Sequence, residues 1–355
     1  MIDFESRESH LLLNPRIPAE ERSRLETIAT RVSLPGHVLL ATSGSTGAIK
    51  LVALSKEAIL ASAAAVNERL EVTRDDVWCA VLPHFHVGGL GIWARAHLSG
   101  ARVVSMAWDP AAFAKAGVTL ASLVPAQVHD LLRHDIEPPS RLRAVLVGGG
   151  AFDAGLEEQA LARGWPMLAS YGLTEAGSTV AVRDRLLSHL EARAENGDRL
   201  AFRGASLFTG YVTEEGLVDP KRDGWFLTED LGEVDGRVVR VRGRAGEFVK
   251  IGGESVDLKR LDRIASEAAR VGGGDAGVVA LADERLGQVI HLAVTADGIA
   301  ELFNERVLPF ERARMVHRVG AIPRSPLGKI LRATLVAELA SSESVDVDLL
   351  DERLD

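Results

Sequence analysis

Thr42-Ser43-Gly44-Ser45-Thr46-Gly47-Ala48-Ile49-Lys50 gathers four hydroxyls, two glycines and a lysine into one short stretch. Hydroxyl and backbone N–H donors on a chain free to turn either way can wrap an anion, and the lysine adds a positive charge. The stretch is not a Walker A loop: the Gly-Lys-Ser/Thr ending is missing and Leu51 follows the lysine. An ordinary polar turn is the alternative, and phosphate binding is the favoured reading. Further along lie Tyr171-Gly172-Leu173-Thr174-Glu175, Thr228-Glu229-Asp230 and Pro323-Arg324-Ser325-Pro326-Leu327-Gly328-Lys329. Taken singly, a loop glutamate, a turn aspartate and a lysine beside glycine are commonly solvated surface groups. The one cysteine, Cys79, sits in the apolar run Trp78-Cys79-Ala80-Val81-Leu82 and reads as an inert buried thiol.

These groups need elements to hold them. Val38-Leu39-Leu40-Ala41 reads as a buried strand running into the hydroxyl-rich loop. Ser55 then suits an N-cap with Glu57 in the first turn, and Ile59, Ala63, Val66 and Leu70 follow at helical spacing. Strands are expected at residues 120–124, 142–147 and 167–170, with Pro125 at a first helical position. Strand alternating with helix implies a sheet covered by helices, with loops clustered at the strand ends. After Asp198 the texture changes to short β-like runs separated by Asp223-Gly224 and Asp235-Gly236, which suggests a small antiparallel layer. Beyond Gly246 the pattern is compact α+β. Helices are expected at 258–269 and 299–310, and strands at 278–281, 290–294 and 316–322. The boundary is placed at 243–246, giving domains of residues 1–243 and 244–355.

The hydroxyl-rich loop resembles the phosphate-binding signature of the adenylate-forming superfamily of acyl-CoA synthetases, luciferases and nonribosomal-peptide adenylation domains. The later segments match that family's Tyr-Gly-x-Thr-Glu, its Thr-Gly-Asp (with Glu229 in the middle), its Gly-Arg hinge at Gly243-Arg244 and its late Gly-Lys loop. Five elements in the family's order extend the resemblance from Leu39 to Leu335. It implies an α/β adenylate-forming fold: a large N-terminal domain of sheets covered by helices and a small mobile α+β C-terminal domain. It also implies ATP, Mg²⁺ and CoA as cofactors, with a small carboxylic acid activated as acyl-adenylate and then passed to a thiol.

By that resemblance Thr42, Ser43, Gly44, Ser45, Thr46, Gly47 and Lys50 face the phosphates. Gly149, Gly150, Ala151, Ser170, Tyr171 and Gly172 line the nucleotide pocket, with Tyr171 stacked on adenine. Asp230 accepts both ribose hydroxyls, assisted by Arg244. Thr174 contacts phosphate, Glu175 holds Mg²⁺, and Lys329 approaches the carboxylate and α-phosphate oxygens. Bringing two anions together requires such positive charge and metal. Rotation of the small domain lays Gly252 and Gly253 along a passage for the CoA pantetheine arm.

Leu82-Pro83-His84-Phe85-His86-Val87-Gly88-Gly89-Leu90-Gly91 matches the segment that closes the acyl pocket, with Phe85 and His86 as its candidates. Together with Ala121-Ser122-Leu123-Val124-Pro125-Ala126-Gln127 and the run from Tyr171 to Val180, it resembles the o-succinylbenzoate:CoA ligases of menaquinone biosynthesis. Such a substrate carries a second carboxylate, for which Arg95, Ser178 and Thr179 are the expected donors. The remaining readings are an aryl- or acyl-CoA ligase for another acid, an enzyme loading a carrier-protein thiol, and a non-catalytic nucleotide-binding relative. The chain departs from the family pattern in reaching the phosphate loop by Thr42, so the N-terminal region is shortened. Gly246 stands where the family has a hinge aspartate. A sheet face exposed by the shortening invites cover from a second copy, a homodimer.

The remaining exclusions come from composition. At 355 residues the chain can form two domains. A net charge of −9 argues against nucleic acid as a partner, since that affinity comes from clustered Lys and Arg. No apolar stretch approaches the roughly 20 residues of a membrane span, and residues 1–9 lack a signal-type apolar core. A cytoplasmic enzyme is the expectation.

Overall fold

The structure, a computed structural model, describes residues 2–43, 49–150, 152, 154–195, 198–244, 248–324, 330–339 and 344–346, the side chains of Ser43, Ile49, Arg244 and residues 344–346 excepted. The expectations for Gly44, Ser45, Thr46, Gly47, Ala151, Gly246 and Lys329 fall outside the described residues. The chain forms two compact units, one built from Met1–Thr42 and Ile49–Gly246, the other including Glu247–Asp355.

The first unit is organised by an eleven-stranded sheet. Its parallel half runs Met167–Leu173, Ala144–Val147, Leu120–Leu123, Val77–Ala80, Arg102–Ser105. The three inner strands, AVLV, LASL and VWCA, are buried at every position, as continuous apolar strands in a doubly covered parallel sheet should be. Alternate side chains feed two cores. Cys79, Ala121, Val145 and Met167 meet Phe113, Val128, Leu131 and Trp165 on one face. Trp78, Leu120 and Leu146 meet Val66, Ile92 and Ala96 on the other. Burial pushes the Cys79 thiol up to about 12, in keeping with an inert core residue.

Met167–Leu173 is the seam: parallel to Ala144–Val147, antiparallel to Ser178–Val182. Beyond it the sheet continues antiparallel through Arg185–Leu186, Val238–Arg244, Phe226–Asp235, Arg199–Gly204 and Leu190–Glu195. The parallel strands therefore release their following loops along one edge, and those loops carry residues 81–86, 124–125, 148–150 and 174–175.

A second, five-stranded sheet orders His10–Leu12, His37–Ser43, Ile49–Ser55, Gly210–Thr213 and Gly216–Val218. Ser55 ends one of its strands and caps the helix Lys56–Leu70, accepting from Ala58 N at 3.0 Å. Lys56 is buried and donates to Asp3 O at 2.6 Å and Ser6 O at 2.9 Å, pinning the N-terminal segment over this sheet.

The small antiparallel layer expected after Asp198 does not form separately. Three of its strands extend the large sheet, and Gly210–Thr213 with Gly216–Val218 completes the five-stranded one. The turn residues locate the hairpins, but which sheet a hairpin joins depends on long-range pairing that local pattern does not carry.

The second unit opens with a hairpin, Phe248–Ile251 and Glu254–Asp257, then the helix Leu258–Gly272, capped by Asp257 accepting from Lys259 N at 2.9 Å. Ala276–Asp283, Gly287–Val294, Ala313–Arg318 and Ser344–Asp346 form its four-stranded sheet. The helix expected over 299–310 stops at Asn304, and a 3-10 turn, Pro309–Glu311, follows. Pro309 has no N–H to continue a helix, and the buried Glu311 accepts from Leu308 N at 3.0 Å and from Arg260 instead. The strand expected over 316–322 begins and ends earlier, at Ala313–Arg318. No helix among the described residues is long and apolar enough to cross a membrane.

Candidate active site

Two acids stand on the seam side of the first unit. Asp230 lies within Phe226–Asp235, its Oδ2 accepting from the Tyr171 hydroxyl at 2.6 Å. Thr228 Oγ1 accepts from Asp230 N at 3.0 Å and itself donates to Leu200 O at 2.8 Å, fixing the backbone that presents the acid. On the neighbouring strand Arg244 is the register partner of Asp230, so the structure brings together the two residues expected at the ribose. Glu229 does not load that spot with an uncompensated charge: Arg199 Nη2 meets Glu229 Oε1 at 2.7 Å. Ser170 and Tyr171 sit on the seam strand, the Ser170 hydroxyl donating to Val147 O at 3.0 Å. Gly149, at φ 80°, turns the chain out of the adjacent strand Ala144–Val147.

The seam strand ends in a bulge between Tyr171 and Gly172, followed by the 3-10 turn Thr174–Ala176. A side chain at Gly172 could not be accommodated, because its Cβ would lie 2.2 Å from Ser178 O. Within the turn, Glu175 accepts from the Tyr211 hydroxyl at 2.9 Å through Oε1, and its carbonyl accepts from Phe208 N at 2.8 Å. Lys50 Nζ lies over the Tyr211 ring, 5.1 Å from the centroid. The lysine of the hydroxyl-rich stretch and the acid expected to hold Mg²⁺ thus meet two sides of one phenol. A hard carboxylate oxygen suits Mg²⁺, which ordinarily takes one or two carboxylates plus phosphate oxygens and water. Among the described residues no group of three or more His, Cys, Asp or Glu could hold a metal by itself. A Mg²⁺ beside Glu175 would accordingly depend on the nucleotide for most of its ligands.

The acyl-pocket candidates cluster more tightly than their spacing suggests. Arg95 lies inside the helix Val87–Ser99 and is only 2% exposed. Its guanidinium donates to Ser122 Oγ at 3.1 Å, Thr179 Oγ1 at 3.1 Å and Ser178 Oγ at 3.3 Å, and sits 5.3 Å from the centre of the Trp78 ring. Gly91, one turn earlier, makes room: a Cβ there would come within 3.2 Å of both Arg95 Nη2 and Ser178 Oγ. Ser178 holds φ 135°, a conformation side chains rarely adopt. Among the described residues these hydroxyls are the guanidinium's hydrogen-bond partners, no carboxylate pairs with it, and Nε has no partner. Burial pulls its pKa down to about 10. An unpaired buried cation costs on the order of several kcal/mol, and each hydroxyl that accepts from it keeps its own proton to donate onward.

Phe85 and His86 lie on the turn between the strand Val77–Ala80 and that helix, at whose N-cap His86 sits, their rings 4.7 Å apart. A cleft of about 230 Å³ beside this turn is lined by Pro83, His84, Trp93 and Met106 among others. Thr42 is half-buried at the end of its strand, and Thr174 begins the Glu175 turn. In the second unit, Gly252 and Gly253 form the two-residue turn of the hairpin, both with positive φ.

Three contributors escaped the sequence reading. Ser122 is a hydroxyl inside an otherwise apolar buried strand, and it shares the face of Leu120 toward the helix of Arg95. Trp78 lies on that face too. A polar residue breaking a buried strand was the available signal for Ser122. Tyr211 carried no local signal, because its partners lie 36 residues back at Glu175 and farther still at Lys50.

The chain is also similar to known proteins. The family model described as AMP-binding enzyme matches residues 36–206. A probable 2-succinylbenzoate–CoA ligase of Mycobacterium tuberculosis is 31% identical over 353 residues, which covers 91% of this chain and 90% of that protein. The 2-succinylbenzoate–CoA ligase of Escherichia coli is 35% identical over 232 residues, 63% of this chain and 51% of that protein. Among solved structures, a double mutant of o-succinylbenzoate CoA synthetase from Bacillus subtilis, bound with a product analogue, matches with a TM-score of 0.75. It is 24% identical, over 84% of this chain and 68% of that one, a likeness of fold.

Proposed function

The chain belongs to the AMP-binding enzyme family, and from that premise we propose that it is an ATP-dependent 2-succinylbenzoate–CoA ligase. One carboxylate of the acid attacks the α-phosphate of ATP, releasing pyrophosphate and leaving an acyl-adenylate. The CoA thiol then attacks the acyl carbon and AMP departs. The observation that carries the choice of acid is the Arg95 cluster. A monocarboxylic acid spends its only charge on ATP and has no use for a second anion site. A dicarboxylic acid brings one more negative charge, and Arg95 with Ser122, Ser178 and Thr179 is a preorganised set of donors for it.

Asp230, with Arg244 as its register partner, is suited to a ribose. Tyr171 beside it would offer a ring face for adenine, and Lys50 and Thr174 would meet the phosphates. Glu175 would hold a Mg²⁺ that neutralises phosphate charge. Lys329 would serve the adenylation step, and Gly252 and Gly253 the passage of CoA, by movement of the second unit. An anionic, nucleotide-using enzyme of this kind belongs in the cytoplasm, with no nucleic acid as partner.

The test is AMP release from ATP and CoA with a panel of acids. Turnover is expected with 2-succinylbenzoate and to be far slower with benzoate and simple fatty acids. Turnover with benzoate-type acids and none with 2-succinylbenzoate would overturn the choice of acid. Acylation of a phosphopantetheine protein but not of free CoA would overturn the choice of acceptor.

A further inference from the structure

Tyr211 stands between two oppositely charged groups. Its strand, Gly210–Thr213, runs antiparallel to Ile49–Ser55 with Tyr211 opposite Val52. Lys50, two residues before Val52, shares that face of the sheet and reaches diagonally to the phenol. Its ammonium rests 5.1 Å from the ring centroid, within cation–π range. At the other end the hydroxyl donates to Glu175 Oε1 at 2.9 Å. Phe208 ties the same segment to the Glu175 turn, its N–H donating to Glu175 O at 2.8 Å and its ring meeting Tyr211 edge-on at 4.8 Å. The phenol is therefore fixed in position and in plane.

A carboxylate and an ammonium free to approach one another pair and cancel. Among the described residues Lys50 and Glu175 do not pair with each other; each instead engages Tyr211, one through its face and the other through its hydroxyl. We propose that Tyr211 is a positioning residue that holds Glu175 and Lys50 apart as two separately usable charges. The carboxylate then stays available to a divalent cation, and the ammonium to phosphate. This rests on the nucleotide site proposed above. Like the outer partners of metal ligands, the hydroxyl acts through the orientation of Glu175 and touches neither metal nor substrate.

Tyr211→Phe keeps the ring and removes the donor. Mn²⁺ binding to the full chain, with ATP present and acid absent, is measured by electron paramagnetic resonance. The half-saturating Mg²⁺ concentration for AMP release is measured alongside it. The variant should bind Mn²⁺ about tenfold more weakly and need correspondingly more Mg²⁺. Its KM for the acid and its melting temperature should stay at wild-type values. Wild-type Mn²⁺ affinity and Mg²⁺ dependence in Tyr211→Phe, with or without a lower melting temperature, overturn the inference. Wild-type protein that takes up no Mn²⁺ with ATP overturns the nucleotide-site reading itself, a result the variant is not needed to obtain.

Discussion

The Tyr171 hydroxyl donates to Asp230 Oδ2 at 2.6 Å, across 59 residues of sequence. The chain has two tyrosines, and both spend their hydroxyls on carboxylates of the proposed nucleotide site, Tyr171 on Asp230 and Tyr211 on Glu175. Each hydroxyl satisfies one oxygen of its acid and fixes its rotamer before any ligand arrives. That is preorganisation supplied by phenols, which order little flexible side chain in doing so.

Asp230→Asn should therefore weaken ATP use while sparing the acid. Losing a charged acceptor for the ribose costs about 1.5–3 kcal/mol, a drop of roughly 10–100-fold in kcat/KM for ATP. Tyr171→Phe, which only loosens the carboxylate, should lose a few-fold. Steady-state AMP release at varied ATP and fixed acid measures both. A loss that appears in the KM of the acid and not of ATP would contradict this placement.

Arg95→Met separates stability from specificity. Replacing an uncompensated buried cation with an apolar chain of similar length should leave the melting temperature unchanged or higher. Selectivity should collapse: kcat/KM for 2-succinylbenzoate falls by about 100-fold or more, while benzoate changes little. A variant that melts much lower and loses activity on both acids alike would make Arg95 a structural residue.

Much of this site was legible before folding because its groups are contiguous in sequence. The segment ending in Glu175 and the one ending in Asp230 are short contiguous motifs, so the resemblance could name them, although each acid alone reads as a surface group. Arg95, Ser178 and Thr179 were nameable only through resemblance, since nothing local says that a helix arginine faces a strand hydroxyl. Ser122 and Tyr211 were not named because their roles exist only across strands. The same limit misplaced the hairpins after Asp198: turns are local, whereas sheet membership is not. The helix expected to reach residue 310 in the second unit stops at Asn304, because Pro309 has no N–H to continue it.

Acid should destabilise the fold through His189. Neither of its ring nitrogens has a partner among the described residues. Burial, and after it the charge of Arg237, hold its pKa down at about 4, against about 6.5 for a histidine in water. The unfolded chain accepts a proton that the folded chain refuses, so stability falls as pH drops from about 6.5 toward 4 and levels off below. At lower pH Asp76 adds its own loss. Hydrogen bonds from Arg143 hold its carboxyl well below the usual range, giving stability that is present above about pH 4 and lost in stronger acid. His189→Phe should flatten the upper part of the profile by up to about 1.4 kcal/mol per pH unit and leave the lower part unchanged. His291 and His317, in the second unit, are shifted the same way, so the readout is the difference between the two proteins. Superimposable profiles of melting temperature from pH 7 to 4.5 would remove His189 from the account.

Lys329 should matter to one half-reaction only. The flanks of its segment are pinned within the second unit. Arg324 pairs with Ile330 in an antiparallel bridge, and Leu331 N donates to Pro323 O at 2.8 Å. Arg324 holds Asp275 Oδ1 at 2.7 Å, and Arg332 holds Asp262 Oδ2 at 2.6 Å. Arg324 and Arg332 thereby anchor the chain on either side of the segment that contains Lys329. Removing the ammonium takes charge stabilisation from the attack on the α-phosphate, a loss of about 10²–10³-fold. Attack of a thiol on preformed acyl-adenylate takes place at the acyl carbon, with AMP leaving, and passes through no attack on phosphorus. Lys329→Ala should thus slow acyl-adenylate formation by that factor and change thioester formation from supplied adenylate only a few-fold. Arg324→Ala should reproduce part of the first loss and none of the second. Equal losses in both steps for Lys329→Ala would mean that the lysine serves the fold or CoA and not the adenylation chemistry.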